Sequence, residues 1–258
     1  MEELVHRTVE NGIATITLDS PRNRNALSAQ LRRELREQLA AANADDAVRT
    51  IVLTHTGPVF CAGMDLKESR SAGAEDQGVQ EFPAILEQLW TSPKPVVAKL
   101  AGPARAGGVG MVAACDIAVA AETATFAFSE VRIGVVPAVI SVTVLPRLHA
   151  RQAHELFLTG ETFDARRAQE IGLINSAVPA DQLDDEVKRF TDMLVLGGPN
   201  ALAATKRMLT AQRPASMREA FAEMLELSAE HFAGAEGQEG MRAFAEKRKP
   251  NWVPDALK

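Results

Sequence analysis

The stretch that decides how this chain folds reads Phe60-Cys61-Ala62-Gly63-Met64-Asp65-Leu66. It follows a run typical of a buried strand, Thr50 to Thr54, and the acidic residues from Asp65 onward indicate the first turn of a helix. The amides of such a turn have no partner within the helix. Gly63 allows a sharp bend that would aim the amide of Met64 into a cleft, where it could stabilise an oxyanion.

A second glycine-bearing turn, Ala106-Gly107-Gly108-Val109-Gly110, has the same context. It also follows a strand-like run, Pro95 to Leu100, and precedes a helix of small residues. A single turn of this kind is most simply a tight connection packed for space. Two of them on separate strands could converge, so that their amides bind one oxygen atom.

The rest of the chain indicates a layered α/β fold. Asn11-Gly12 favours a tight turn between alternating segments and predicts a β-hairpin from Glu3 to Leu18. Ser28 can cap a helix that runs to about Asn43. A third buried strand is expected at Ile117 to Ala120. Further helices are predicted near 77–90, 108–114, 140–148, 151–158, 165–171, 181–196, 200–211, 217–233 and 236–247.

Composition excludes several classes of protein. The formal net charge of -6 argues against nonspecific nucleic-acid binding, which requires a cationic face. No segment offers about 20 uncharged apolar residues, and the charged N-terminus is unlike a signal peptide. Cys61 and Cys115 lie in apolar surroundings and are expected to be reduced, which favours a cytoplasmic location. We expect no association with a membrane. The histidines lack the grouping of metal ligands, so we expect no metal.

Taken together, the two glycine turns resemble those of the crotonase superfamily, the enoyl-CoA hydratases and isomerases. The resemblance covers nearly the whole chain. It includes Cys115-Asp116-Ile117 and three further segments: Arg24-Asn25-Ala26-Leu27, residues 128–137, and Phe244-Ala245-Glu246-Lys247-Arg248. It implies an α/β fold, a spiral of ββα units with a C-terminal helical trimerisation region. On this basis we expect a spiral core with the acyl-CoA site at 1–195 and a helical region for oligomerisation and site capping at 196–258.

The same resemblance implies which groups stabilise the reaction intermediate. The amides of Met64 and Gly107 would form an oxyanion hole for the carbonyl oxygen of an acyl-CoA thioester. Removing an α or γ proton, or adding water at the β carbon, places negative charge on this oxygen, so preorganised amides accelerate the reaction. Coenzyme A is then part of the substrate, and no separate cofactor is expected.

Glu130 is the candidate acid/base. It lies in a mostly apolar stretch, Phe128 to Pro137, where desolvation would raise its pKa toward neutrality. Taken alone, it would more often be a surface acid paired with Arg132. The resemblance favours catalysis, because the family places a proton-transferring glutamate here.

Classical hydratases carry a second glutamate, and the corresponding position here is Gly110. Three interpretations remain open. Glu130 could hydrate a 2-enoyl-CoA, with water held by backbone groups or by another acid; Glu130 alone could shuttle a proton between C2 and C4 as a Δ3-Δ2 isomerase; or the chain could bind acyl-CoA with little turnover. The candidate second acids are Glu68, Glu75 and Glu81.

A finer resemblance favours hydration. The segments 108–116, 129–134 and Pro137-Ala138-Val139-Ile140-Ser141 are similar to a bacterial branch assigned as methylglutaconyl-CoA or carboxygeranoyl-CoA hydratases, which also has glycine at the second-glutamate position. The approach to the second turn, Leu100 to Arg105, departs from the common family pattern. Arg105 or Arg132 could pair with a substrate carboxylate, although each is more simply structural or solvated.

The remaining site assignments concern coenzyme A, and they too come from the resemblance. Arg22, Arg24 and Ala26 would contact the nucleotide end. Around the pantetheine and the thioester we expect Ala62, Asp65, Leu66 and Gly108. Phe244 and Lys247 would lean over the site of a neighbouring subunit in a homotrimer or hexamer. Their simpler interpretation is amphipathic helix packing with a solvent-facing lysine.

The sequence favours two other enzyme classes less. Residues 108–113 match the G-x-G-x-x-A pattern of NAD-binding oxidoreductases, but here the first glycine does not follow the strand directly. A serine hydrolase is less favoured, because the sequence has no G-x-S-x-G elbow.

Overall fold

The computed structural model of the chain describes residues 2–65, 68, 81–133, 136–210 and 234–255. In this part the strands and helices alternate up to residue 121, as the sequence pattern predicts. The strands are β1 (Val5–Glu10), β2 (Ile13–Leu18), β3 (Thr50–His55), β4 (Val96–Leu100), β5 (Ala104–Arg105), β6 (Ile117–Ala121), β7 (Thr125–Ala127), β8 (Phe163–Asp164) and β9 (Ser176–Val178). The helices are α1 (Ala29–Ala44), α2 (Phe82–Trp90), α3 (Gly107–Ala114), α4 (Ala138–Val144), α5 (Ala150–Thr159), α6 (Ala165–Glu170), α7 (Leu183–Val195), α8 (Pro199–Thr210) and α9 (Ala235–Ala245).

The first hairpin and the first helix form where the local sequence predicts them. β1 and β2 form the predicted antiparallel hairpin, and both turn residues, Asn11 and Gly12, have positive φ. The Ser28 side chain accepts a hydrogen bond from the amide of Leu31 and caps α1, as predicted. The apolar face of α1, which includes Leu31, Leu35 and Leu39, is fully buried.

The main sheet has the order β1-β2-β3-β4-β6-β9, and its strands are parallel after the first hairpin. Helices α1, α2 and α3 contribute to the large core on one face. On the other face, Val97 and Val119 pack with Leu183 and Val187 of α7. A parallel sheet buried on both faces accounts for the nearly continuous apolar runs of its central strands.

A smaller sheet, β5-β7-β8, lies beside the ends of the central strands. β4 leads into β5 and β6 leads into β7, so successive turns of the chain add one strand to each sheet. Cys61, which follows β3, extends this second layer through an isolated parallel bridge to Ala104. The arrangement is the α/β spiral that the family resemblance implies.

The described part of the second half of the chain is helical almost throughout, as predicted, but two short strands between its helices were not predicted. Residues 163–164 form β8, and residues 176–178 form β9 at the edge of the main sheet. Both strands are too short to show an alternating pattern. The helix predicted at 217–233 lies outside the described residues. None of the helices in the described part is long and apolar enough to cross a membrane.

Candidate active site

The two glycine turns lie against each other. Gly63 has φ +91°, and a Cβ atom added there would lie 3.0 Å from Cβ of Ala106 and 3.3 Å from the carbonyl oxygen of Arg105. The amide of Arg105 donates to the carbonyl of Cys61 at 3.0 Å. Only glycine meets both the backbone and the space requirement at residue 63. The two turns are therefore in direct contact in the fold.

The amide of Met64 is turned away from its neighbouring strand. Met64 forms an isolated parallel bridge with Leu27, in which Leu27 donates to the carbonyl of Gly63 at 2.8 Å. In a parallel bridge of this kind the groups that flank Met64 face the partner, so the N–H of Met64 points to the opposite side. Among the described hydrogen bonds, none uses this amide as donor.

The amide of Gly107 is the first of α3, so it has no acceptor within the helix. The preceding residue, Ala106, adopts φ 47° and ψ -117°, a conformation rare for residues with a side chain. Its amide donates to the carbonyl of Ala127 at 3.1 Å, while its carbonyl accepts from Val109 and Gly110. This turn fixes the orientation of the Gly107 amide before any ligand binds.

Gly108 is required by a close approach. A Cβ atom added there would lie 2.7 Å from the carbonyl oxygen and 2.8 Å from Cβ of Cys61. The thiol of Cys61 is fully buried, which raises its pKa to about 12, and the amide of Gly63 lies 3.5 Å from its Sγ atom. The thiol is therefore a packing group beside the two turns and has no thiolate to react.

The strand pair β5-β7 brings Glu130 toward these turns. Arg105 pairs with Ala127, and the chain then continues through the buried Phe128 into a short 3-10 helix, Ser129–Ile133, that carries Glu130. The ring of Phe128 packs against Phe157, with centroids 4.4 Å apart. This packing anchors the segment that holds the carboxylate.

The carboxylate of Glu130 is partly buried and poorly solvated. Its Oε2 atom is buried and accepts no hydrogen bond from the described residues. Burial raises the pKa of Glu130, and a hydrogen bond from its own backbone amide opposes this only in part. A carboxylate with a raised pKa and a free lone pair is suited to exchanging protons near neutral pH.

Nothing at residue 110 replaces the second acid. A Cβ atom added at Gly110 would lie 2.6 Å from Cγ2 of Ile140. Two of the alternative acids make structural contacts: Glu68 accepts from the amide of Ala29 at 2.8 Å, at the start of α1, and Glu81 lies 3.4 Å from Nε of Arg32. Glu75 lies outside the described residues.

The expected coenzyme A segment lies against the first glycine turn. The amide of Ala62 donates to the carbonyl of Arg24 at 3.1 Å, and the side chain of Asn23 donates to the carboxylate of Asp65 at 2.7 Å. Arg22 lies in the 3-10 helix Pro21–Asn23, which ends at Arg24 in the left-handed conformation. The structure therefore brings residues 22–26 and 62–65 together, which the sequence alone could not show.

Asn25 is a residue of this region that the sequence reasoning missed. It is fully buried at φ 50°, its Nδ2 donates to the carbonyls of Thr56 and Val59, and its Oδ1 accepts from the amide of Ser20. Asparagine tolerates this conformation better than most residues do. The signal available in the sequence was an asparagine directly before the apolar pair Ala26-Leu27. Its role is to fix the turn that carries Arg24 and Ala26.

The remaining predicted residues are less fully described. Leu66 and the side chain of Phe244 lie outside the described part of the chain. Lys247 is exposed at φ 55°, just beyond α9, and no described hydrogen bond links it to the glycine turns. Arg105 donates to Thr125 at 2.6 and 2.7 Å and to the carbonyl of Ala104, so its guanidinium is structural. Arg132 is exposed.

Comparison with known proteins identifies the family. A family model described as enoyl-CoA hydratase/isomerase matches residues 8–254. The chain belongs to this family. A solved enoyl-CoA hydratase from Mycobacterium smegmatis aligns with a TM-score of 0.91 at 32% identity, covering 97% of this chain and 99% of that one. The high structural agreement confirms the predicted α/β crotonase fold.

Two further relatives bear on the chemistry. An enoyl-CoA hydratase structure from Mycobacterium avium shares 44% identity at a TM-score of 0.75, covering 98% of this chain and 100% of that one. The carnitinyl-CoA dehydratase of Proteus mirabilis is 32% identical, over 98% of this chain and 99% of its own length. The chain is an enoyl-CoA hydratase or isomerase, as predicted, and the acyl-CoA thioester is the class of substrate that the family implies.

The family assignment argues against the alternative that the chain is an NAD-binding enzyme. The glycines of the G-x-G-x-x-A pattern, Gly108 and Gly110, lie inside α3 and are buried against Cys61 and Ile140. A dinucleotide site needs its first glycines in an open turn between strand and helix.

Because the proposed oxyanion donors are main-chain amides, the Met64 side chain should contribute little to the reaction rate. We expect Met64→Ala to keep kcat/KM for a 2-enoyl-CoA within about tenfold of wild type, whereas losing one oxyanion donor costs about 100-fold or more. Met64→Leu serves as the size control. A hundredfold loss in a folded Met64→Ala variant would show that the side chain itself takes part.

Proposed function

We propose that this enzyme reversibly hydrates a 2-enoyl-CoA thioester. The observation that supports the proposal is that the amides of Met64 and Gly107 have no acceptor among the described hydrogen bonds, while Oε2 of the partly buried Glu130 has no described donor. The amides bind the thioester oxygen, and the carboxylate moves the proton. Coenzyme A enters as part of the substrate.

The reaction can be written with Glu130 as the single acid/base. The ionised carboxylate takes a proton from water as the water oxygen bonds to C3 and the double-bond electrons shift onto the thioester oxygen. The amides of Met64 and Gly107 stabilise the resulting enolate. The enolate collapses as C2 takes the proton from Glu130, which restores the carboxylate. One water is added and no other reactant is consumed.

A second candidate is a Δ3-Δ2 enoyl-CoA isomerase. Gly110 favours it, because an isomerase needs only one base, which removes a proton from C2 or C4 and returns it to the other carbon. The same amides would stabilise the dienolate. Both reactions share the intermediate and differ in whether water enters, and an acyl-CoA-binding homologue with weak turnover is the third outcome of the test.

A panel of thioesters separates these outcomes. We expect crotonyl-CoA or a 3-methyl-branched 2-enoyl-CoA to lose its conjugated absorbance and to gain the mass of one water. The branched ester also tests the resemblance to the methylglutaconyl-CoA branch. A 3-enoyl-CoA converted to its conjugated isomer without added water would replace hydration by isomerisation. Binding without any product would leave an acyl-CoA-binding protein.

The raised pKa of Glu130 predicts the acidic limb of the pH profile. Since the base must be ionised in the free enzyme, kcat/KM should rise with pH through a pKa above the ordinary carboxylate range and then level off. Measuring kcat/KM from acidic to alkaline pH with crotonyl-CoA checks this. An acidic limb at the ordinary glutamate pKa would contradict a desolvated base.

We also propose that residues 196–258 serve oligomerisation and cap the CoA site of a neighbouring subunit in a cytoplasmic trimer or hexamer. The supporting observation is that Lys247 lies exposed just beyond the end of α9, with no described hydrogen bond to its own chain's glycine turns. Light scattering should give three or six chains, and Lys247→Ala should raise KM for the thioester with little change in kcat. A monomer with full activity would overturn this proposal.

A further inference from the structure

Gly110 and Ile140 form a close pair between helices α3 and α4. A Cβ atom added at Gly110 would lie 2.6 Å from Cγ2, 3.1 Å from Cβ and 3.6 Å from Cα of Ile140. The first of these distances is shorter than real Cβ contacts. The volume that a side chain at residue 110 would need is therefore occupied by one neighbouring side chain.

Ile140 has little freedom to yield this space. Its side chain is 2% exposed, and its branch at Cβ restricts the rotamers it can adopt. The backbone is also held, because Oγ1 of Thr143, one turn further along α4, donates to the carbonyl of Gly110 at 3.1 Å. Adding atoms at residue 110 would thus press against a packed helix rather than a mobile side chain.

The pair lies beside the proposed reaction centre. Gly107 and Gly110 are one turn apart on α3 and share a face of that helix. The segment that carries Glu130 leads along the chain into α4, where Ile140 lies. The packing between α3 and α4 therefore involves the helix that begins at Gly107 and the helix that follows the Glu130 segment along the chain.

We infer that Ile140 determines the reaction type of this site by filling the space beside Gly110, so that Glu130 is left as the candidate catalytic carboxylate among the described residues. This rests on the proposed function, since it assigns Glu130 and the Gly107 amide to that site. Ile140 is a positioning residue, because it acts through the packing of α3 and α4. The side chain of Gly110→Glu would not fit while Ile140 occupies this space. A second acid at residue 110 therefore requires a smaller residue at position 140 as well.

A double-mutant cycle tests the packing without any assumption about activity. We expect Gly110→Ala to lower the melting temperature by about 5 °C and to have no such effect in an Ile140→Ala background. Gly108→Ala is the matched control, because its added Cβ would meet Cys61 rather than Ile140. It should lower the melting temperature by the same amount in the wild-type and Ile140→Ala backgrounds. Additive losses for Gly110→Ala and Ile140→Ala would overturn the inference.

A second comparison tests the chemistry. We expect Gly110→Glu with Ile140→Ala to hydrate crotonyl-CoA at least about tenfold faster than Gly110→Gln with Ile140→Ala, which matches it in size and lacks the charge. Equal rates in two folded proteins would overturn the assignment of residue 110 to the site. If wild type acts on no enoyl-CoA, the proposed function fails, while the melting cycle still decides the packing.

Discussion

Glu130→Gln is expected to lower kcat/KM for the enoyl-CoA substrate by about 1,000-fold, within the range of about 10²–10⁴ that general acid-base groups contribute. The amide side chain keeps the size of the carboxylate and cannot accept the proton. The amides of Met64 and Gly107 are unchanged, so thioester binding should change far less than turnover. Steady-state rates with crotonyl-CoA, together with calorimetric binding of the product, measure the two effects separately.

The same substitution should leave the fold as stable as wild type, or more stable. The folded pKa of Glu130 is raised, so the folded chain binds the proton more tightly than the unfolded chain does. Wild-type stability therefore falls as pH rises from the ordinary glutamate pKa through the raised one. Glutamine does not titrate. The stability of Glu130→Gln relative to wild type should therefore increase across that pH window and remain higher above it.

The control for this prediction is Glu161→Gln, which removes the same charge from an exposed side chain. Melting curves of the three proteins below and above the window show the difference. A Glu130→Gln variant that is folded, fully active and unchanged in its pH dependence would remove Glu130 from the mechanism.

Local sequence signals predicted the elements that local physics controls. Asn11-Gly12 specified the hairpin, Ser28 specified the start of α1, and the apolar runs specified β3, β4 and β6. Each signal depends on residues within one turn or one strand of each other. The glycine turns were also recognisable, because a residue with a required positive φ or a close backbone approach leaves little choice but glycine.

The site geometry depended on contacts that local patterns do not encode. β5 and β7 are only two and three residues long, and yet their pairing places Arg105, just before the Gly107 turn, beside Ala127, just before the Glu130 segment. The sequence showed that Gly110 lacked a carboxylate. It could not show that Ile140 fills the space, because this requires the relative position of α3 and α4.

The ion pair between the buried Lys206 and the largely buried Asp116 is a second long-range feature, and no sequence pattern indicated it. Lys206 on α8 is 6% exposed, and its Nζ donates to Oδ2 of Asp116 at 2.7 Å and to the carbonyl of Leu89 at 2.9 Å. Asp116 also accepts from the amide of Val96 at 2.7 Å. The pair therefore ties α8 to the start of β4 and to the end of α3.

Lys206→Met is expected to destabilise the protein by about 3–5 kcal/mol, because it leaves the Asp116 carboxylate buried without its cation. Burial raises the pKa of Asp116, while the Lys206 charge opposes that rise, so removing the lysine should raise this pKa further. The melting temperature should fall by about 10 °C. Thermal unfolding followed by circular dichroism measures the change.

Adding Asp116→Asn to Lys206→Met should recover part of the loss, since a neutral amide oxygen can still accept from Val96 and no buried charge remains. Lys188→Met is the matched control, because the Lys188–Asp192 pair is exposed and should be worth about 0–1 kcal/mol. Equal losses for the Lys206 and Lys188 variants would mean that the buried pair contributes no more than a surface pair. A double variant less stable than Lys206→Met would show that Asp116 stabilises the fold through its charge on the backbone amide, independently of Lys206.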